Sequence, residues 1–196
     1  MGLGLRVPDS AFAHRARELA AELEPAFLLN HSIRAYAWAV ALADRDGLAF
    51  DTEILYVSAV LHDLGLVPGG DLGGCFEFDG AVQARAFAIR HGQPAERAER
   101  IHDVIALHMA EDLAPDAPAE VPLLWDSTGV DVSGHRFADV PPSLVGPVLA
   151  AYPRLRFKRA FAELFADQAA RKPPCRVAAM VAAGSLERIA AAPFDE

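Results

Sequence analysis

At 196 residues the chain is long enough for one substantial core and too short to divide comfortably into two. Hydrophobic residues make up 53% of it, much of that alanine, which favours packed helices over sheet. The net charge of −9 argues against a nucleic-acid backbone as the main partner, because phosphate binding demands basic clusters, and no apolar run reaches membrane-spanning length.

Residues 10–24 carry Phe12, Leu19 and Leu23 among charges, with Asp9-Ser10 as a helix start and Pro25 as a stop. Before them, Met1-Gly2-Leu3-Gly4-Leu5-Arg6 has neither the basic start and apolar core of a leader nor the Ser or Thr of a myristoylation signal, so a cytoplasmic protein is expected. Asn30 is placed to cap a second helix with His31, Ala35, Trp38 and Leu42 on one stripe, closed by Gly47. Asp51 or Thr52 caps a third, which runs through Ile54, Leu55, Val57, Val60 and Leu61 into His62-Asp63. The glycine-rich stretch 68–74 cannot be helix and could form a wall or lid near that pair.

A fourth helix is expected over about 79–91, ended by Gly92. Pro94 opens a fifth as its first-turn proline, with Ile101, Val104, Ile105 and His108 on the apolar stripe. Pro115, Pro118 and Pro122 mark a polar segment, and 123–132 is ambiguous: short, apolar and interrupted by Gly129. Residues 141–150, 157–170 and 176–192 read as helices, the basic run 154–159 as the start of one of them. Cys75 and Cys175 match no metal or redox spacing and are expected as buried, hydrophobe-like side chains. With no repeat and no strand pattern, the expectation is one all-α domain.

The chemistry concentrates at His62-Asp63. A carboxylate at the end of so apolar a stretch needs something to offset its desolvation, and a metal ion does that well. With His31 upstream, the pair supplies three ligands that a divalent cation would accept. Adjacent helical residues point roughly 100° apart, so His62 and Asp63 can face one point only at a helix end, which Gly65 and Pro68 supply. The dipeptide alone is a weak signal, since His102-Asp103 repeats it in mid-helix.

In that context the sequence resembles the HD superfamily of metal-dependent hydrolases, all-α proteins in which an early His, a His-Asp pair and a late Asp close on one metal. His31-Ser32-Ile33-Arg34, Leu61-His62-Asp63-Leu64-Gly65, Phe76-Glu77-Phe78-Asp79-Gly80-Ala81, Ile105-Ala106-Leu107-His108 and Tyr152-Pro153-Arg154 with Phe157 are similar to the cyanamide hydratase-like branch. The resemblance covers roughly residues 28–171, and implies a single-domain HD-type helical bundle with a metal site between helices. It divides the chain into an N-terminal helix (1–27), the HD domain (28–171) and a C-terminal helix packed on it (172–196).

The resemblance also calls for a late aspartate. Asp131 is preferred for its apolar neighbours, with Asp126 as the alternative, and the metal set becomes His31, His62, Asp63 and Asp131. Asp131-Val132 departs from the Asp-Asn pair associated with that branch, which leaves the substrate open. His108, on its own a core histidine, becomes through the resemblance an active-site group beside the metal. Asp63, His108 or Glu77 would handle the proton of the attacking water, although Glu77 reads equally as a helix cap. Arg34 either orients a carboxylate or meets substrate; Phe76 and Trp38 either line a pocket or pack the core.

One divalent transition metal, Zn, Fe or Mn, suits two imidazoles with two carboxylates, and it would acidify a water for attack on a small molecule, a nitrile-type or cyanamide-like substrate foremost. A nucleotide or phosphoester phosphohydrolase is the alternative, opposed by how few cations stand near the ligands. A catalytically idle, metal-stabilised sensing domain is a third reading. The expected partner is a small-molecule substrate, with no nucleic acid and no membrane, and a homo-oligomer is left open.

Overall fold

Helix starts in this chain are set by side-chain caps and prolines, and the computed structural model, which describes residues 6–196, shows where each of them acts. Met1-Gly2-Leu3-Gly4-Leu5, read above for leader signals, lie outside the described residues. The Ser10 hydroxyl accepts the Ala13 N–H at 3.1 Å and opens α1 (Ala11–Leu23). Glu24, held extended before Pro25, ends it.

The second helix, α2 (Ala26–Asp46), starts five residues earlier than a cap at Asn30 suggested. Pro25 occupies the cap position with a φ already suited to a helix start, and the Asn30 amide instead donates to the Pro153 carbonyl at 2.9 Å. From His31 to Ala43 this helix is buried on every side, so it is the central strut of the fold. Gly47, with φ 68°, closes it in the left-handed conformation that glycine adopts freely.

The third helix, α3 (Thr52–Leu61), is capped by Asp51, whose carboxylate accepts the Glu53 and Ile54 N–H groups at 3.0 Å each. It ends at His62. Asp63 leaves helical geometry at φ −99°, ψ 8° and leads a 3₁₀ turn over Leu64–Leu66. This change of direction lets two adjacent side chains converge. The turn lies against the start of α4 (Phe76–Arg90) so closely that a Cβ on Gly65 would collide with the Phe76 carbonyl, and one on Gly80 would stand 3.0 Å from the His62 carbonyl oxygen. Small residues are therefore what seats the His-Asp turn on α4.

The stretch 68–74 forms turns, as expected, but it is fastened away from the histidines. Asp79 accepts the Leu72 and Gly74 N–H groups at 2.8 and 3.1 Å, and Lys172 pairs with Asp71 at 2.8 Å. None of its residues lines the cavity described below, so it is neither wall nor lid.

Next come α5 (Ala95–Ala106), with Pro94 as its cap rather than its first residue, and α6 (Glu120–Ser133), which resolves the ambiguous segment as helix. Gly129 fits inside α6 because His135 folds back over it: a Cβ there would meet the His135 ring at 3.3 Å. After α7 (Pro142–Ala151) and α8 (Phe157–Arg171), the predicted last helix is two, α9 (Arg176–Ala182) and α10 (Ser185–Ala190). Gly184, at φ 81°, breaks it. There is no strand among the described residues, and no helix there is long and apolar enough to cross a membrane.

Two apolar clusters result. The larger fills the space between α1 and α6, and the smaller joins Phe157, Phe161 and Phe165 of α8 to Phe76, Met109, Val177 and Ile189. The smaller one holds a correction. Cys75 and Cys175, expected as separate apolar side chains, form a disulfide with Cα atoms 5.3 Å apart. It ties the residue before α4 to the residue before α9, an adjacency that sequence spacing does not reveal.

Candidate metal centre

His31 projects from α2, His62 caps α3, and Asp63 follows it into the turn. Nε2 of His62 lies 3.1 Å and Nε2 of His31 lies 3.5 Å from Asp63 Oδ2, and all three residues are buried. The far side of each ring fixes which nitrogen faces inward. His31 Nδ1–H donates to Asp131 Oδ2 at 2.8 Å, and His62 Nδ1–H donates to the Ala59 carbonyl at 2.7 Å. Each Nε2 is therefore a lone-pair donor turned toward Asp63. His31 Nε2 and Asp63 Oδ2 have no hydrogen-bond partner among the described residues although both are fully buried. An orphaned buried acceptor costs about 1–3 kcal/mol. Three such donors within 4.8 Å of one another fit a divalent cation of borderline softness.

Electrostatics show that positive charge is favoured beside Asp63. Burial would lower His62, but Asp63 outweighs it and raises the imidazole above its usual range; burial would likewise raise the Asp63 carboxyl, but His62 and then His31 hold it below the usual carboxylate range. His108, just beyond α5, donates Nδ1–H to the Ile105 carbonyl at 2.5 Å and stands edge-on to His62 with ring centroids 5.0 Å apart. Burial, reinforced by His62, pushes its pKa down to about 4, so it is a neutral imidazole at pH 7.

The structure places Asp131 elsewhere than the sequence suggested. It lies behind His31, on the Nδ1 side of the ring, and is not among the side chains whose donor atoms converge. Its oxygens are taken already. Oδ1 accepts Arg34 Nε at 2.8 Å and Trp38 Nε1 at 3.0 Å, while Oδ2 accepts Arg34 Nη2 at 2.7 Å besides His31. Arg154, 3.3 Å from Oδ1 and from the Asp131 carbonyl, closes the cluster. Burial would raise the Asp131 carboxyl; Arg34, first among its partners, carries it well below the ordinary value. A carboxylate hydrogen-bonded to a ligand imidazole fixes its tautomer and increases its basicity.

Two of the expected substrate contacts are corrected by the same cluster. Arg34 and Trp38 are completely buried and spend their polar groups on Asp131, Arg34 also donating to the Tyr152 and Pro153 carbonyls. Asp126 is engaged by His135 at 3.0 Å and Arg136 at 2.6 Å, on α6 but away from the histidines. His102 and Asp103 pair only with each other, at 3.0 Å on the outside of α5.

A cavity of about 340 Å³ opens on His31, His62, Asp63 and His108. Phe76, read as either a pocket or a core residue, both lines it and packs in the smaller apolar cluster. Glu77 does not: it sits in the first turn of α4, buried but outside the lining, with its carboxyl raised chiefly by burial. The sequence reading missed Phe161 and Phe165, which recur at helical spacing on α8 and were legible as a core stripe, not as a cavity wall. It missed Arg176 and Arg188, because only the packing of α9 and α10 brings them to the rim, and His135, which folds back over Gly129 just past the end of α6.

The chain is 27% identical over 173 positions to each of two Saccharomyces cerevisiae proteins, cyanamide hydratase DDI2 and cyanamide hydratase DDI3, covering 85% of this chain and 76% of theirs. The family model described as HD domain matches residues 28–129, a segment that holds His31, His62, Asp63 and His108 and stops just short of Asp131. With more than half of its length matched, this chain belongs to the HD domain family.

Proposed function

We propose that this protein is a metal-dependent hydratase or hydrolase that adds water to a small molecule with a nitrile-type carbon. The observation that carries the proposal is the pair of buried atoms, His31 Nε2 and Asp63 Oδ2, without hydrogen-bond partners among the described residues, converging with His62 at the floor of a cavity. In this reading His31, His62 and Asp63 hold one Zn, Fe or Mn ion, and Asp131 keeps the His31 ring in place. Such a cation, when bound, supplies Lewis acidity and lowers the pKa of water. His108, neutral and lining the cavity, takes a proton from the attacking water at Nε2 and returns it to the substrate nitrogen. The water oxygen joins the nitrile carbon as one C–N π bond breaks and one water hydrogen reaches nitrogen; the second hydrogen then moves from oxygen to nitrogen as the remaining C–N π bond gives way to C=O, with no change of oxidation state.

A phosphoester substrate fits this floor less well. Of the two arginines that line the cavity, Arg176 is spent on the Met109 carbonyl and Glu111 at 2.8 and 3.0 Å and Arg188 donates to the Ala183 carbonyl at 2.7 Å, while the floor itself offers only imidazoles and a carboxylate. Developing phosphoryl charge calls for cations at the reacting centre. On compartment, disulfides persist in oxidising surroundings, so Cys75–Cys175 weighs against the cytoplasmic expectation.

The test couples metal analysis to turnover on one preparation. About one equivalent of transition metal per chain is expected, lost in His62→Ala and Asp63→Ala and kept in His102→Ala, together with conversion of cyanamide to urea. Turnover confined to phosphoesters, or a folded protein that takes up no metal, would overturn the proposal.

A further inference from the structure

The cavity is much larger than the smallest molecule the reaction needs. A water's share of liquid volume is about 30 Å³, so 340 Å³ holds on the order of eleven water-sized groups. Cyanamide has three non-hydrogen atoms; with its attacking water it would fill roughly a third of that space. The remainder is not built for water. Polar side chains also line it, Thr128, Ser133, His135, Arg176, Ser185 and Arg188 among them, but much of the wall is Phe76, Phe161, Phe165, Met109, Met180 and Ile189, which offer an ordered water few partners.

The aromatic walls have a definite arrangement. Phe161 and Phe165 lie with centroids 4.6 Å apart, and Phe76 meets Phe165 at 5.9 Å, forming a continuous apolar face from α8 to the start of α4. The same Phe76 stands edge-on to His108 at 5.8 Å, so this face begins at the reacting end. Two thioethers complete it, and methionine adapts its shape to aromatic neighbours. A cavity of this size, with largely apolar walls between a polar floor and a few polar side chains elsewhere in its lining, matches the usual form of a small-molecule site.

We infer that the substrate carries a ring-sized apolar substituent on the reacting group: an N-aryl, N-benzyl or N-alkyl cyanamide, or a nitrile of similar bulk, in preference to cyanamide itself. The inference rests on the hydratase reading for the reacting group and on the cavity walls for the substituent. The substituent lies along Phe161 and Phe165, and the nitrile-type carbon reaches the floor beside His108. Each methylene buried there should raise kcat/KM about fourfold, and a whole benzyl group roughly ten- to a hundredfold.

The test measures kcat/KM for cyanamide, methylcyanamide, butylcyanamide and benzylcyanamide, and separately the calorimetric binding of benzylurea and urea to metal-free and metal-loaded protein. The expected results are a rise along the series and benzylurea binding at least tenfold tighter than urea in both forms. Met180→Trp, which fills the cavity from α9, should weaken benzylurea at least tenfold, with circular dichroism checking that the helices persist. Cyanamide turnover with a flat or falling series, and no preference for benzylurea, would overturn the inference while leaving the hydratase reading intact. Benzylurea binding that Met180→Trp abolishes, in a protein that hydrates no member of the series, would sustain the apolar site and overturn the hydratase reading instead.

Discussion

Replacing Asp131 by asparagine tests the arrangement that separates a supporting carboxylate from a metal ligand. The amide keeps the shape but not the acceptor count. If its NH₂ takes the place of Oδ2 it confronts His31 Nδ1–H and Arg34 Nη2, which lie 2.8 and 2.7 Å from that atom. If it takes the place of Oδ1 it confronts Arg34 Nε and Trp38 Nε1 at 2.8 and 3.0 Å. Either way two buried donors lose their acceptor, and the fully buried Arg34 loses its counter-charge. Breaking such a pair costs about 3–5 kcal/mol, against a total stability of about 5–15 kcal/mol for a domain. Metal affinity should fall by about 10–100-fold, the usual consequence of removing a partner of a ligating histidine. Urea unfolding of metal-free Asp131→Asn gives the first quantity, and competition with a chromophoric chelator gives the second. A metal-free stability within about 0.5 kcal/mol of the parent, together with metal binding abolished as completely as in His62→Ala, would refute the reasoning and make Asp131 a direct ligand.

Two other outcomes are expected. Cys75–Cys175 closes a loop across 100 positions, so reducing it should lower stability by up to about 4–5 kcal/mol, read as a shift in denaturant midpoint with and without reductant; coincident curves would count against the bond. Glu24 is buried with neither carboxylate oxygen hydrogen-bonded among the described residues, and burial, then Asp63, raises its pKa well above the ordinary value. The folded chain thus keeps a proton that the unfolded chain gives up, and stability must fall as pH rises from the usual carboxyl range to the raised one. In metal-free Glu24→Gln that decline should shrink, leaving the variant the more stable near about pH 8; parallel stability–pH curves for the two proteins would sink this account.

How much of this was legible in the sequence depended on the range of the interaction concerned. Ser10, Asp51 and Gly47 act within one helical turn, so the ends of α1, α2 and α3 could be read off where those caps operate. His62 and Asp63 were legible because a helix end and Gly65 are local features. Asn30 misled because its amide finds a partner 123 residues away. Asp131 could be chosen as the important late carboxylate, but not placed. Which nitrogen of His31 it meets depends on how α6 sits against α2, across 100 residues of sequence. Arg34 and Trp38 stayed open between a supporting and a substrate role for the same reason: they stand one and two helical turns from His31, and only the packed α6 shows that both meet Asp131. The disulfide and the rim arginines depend on where α9 and α10 dock, which no local pattern specifies.

The position of His31 is in consequence set by parts of the chain far from the motif that advertises it. Leu155 and Arg156 both have positive φ, 54° and 63°, a conformation that costs a non-glycine residue energy and persists only where its surroundings over-determine it. Here the surroundings are explicit. Arg154 is held between the Phe157 and Phe194 rings, with its guanidinium carbon 4.8 and 4.5 Å from their centroids. It donates to Asp131 on one side and to Glu196 at 3.1 Å on the other. The strained turn also delivers Phe157 onto the His31 ring, stacked at 4.7 Å. One face of His31 is thus packed by α8 and its Nδ1 edge is fixed by α6, with a clasp closed by the last residues of the chain. An imidazole so confined cannot turn to satisfy its own Nε2, and a confined, unsatisfied Nε2 is what a metal ligand has to be.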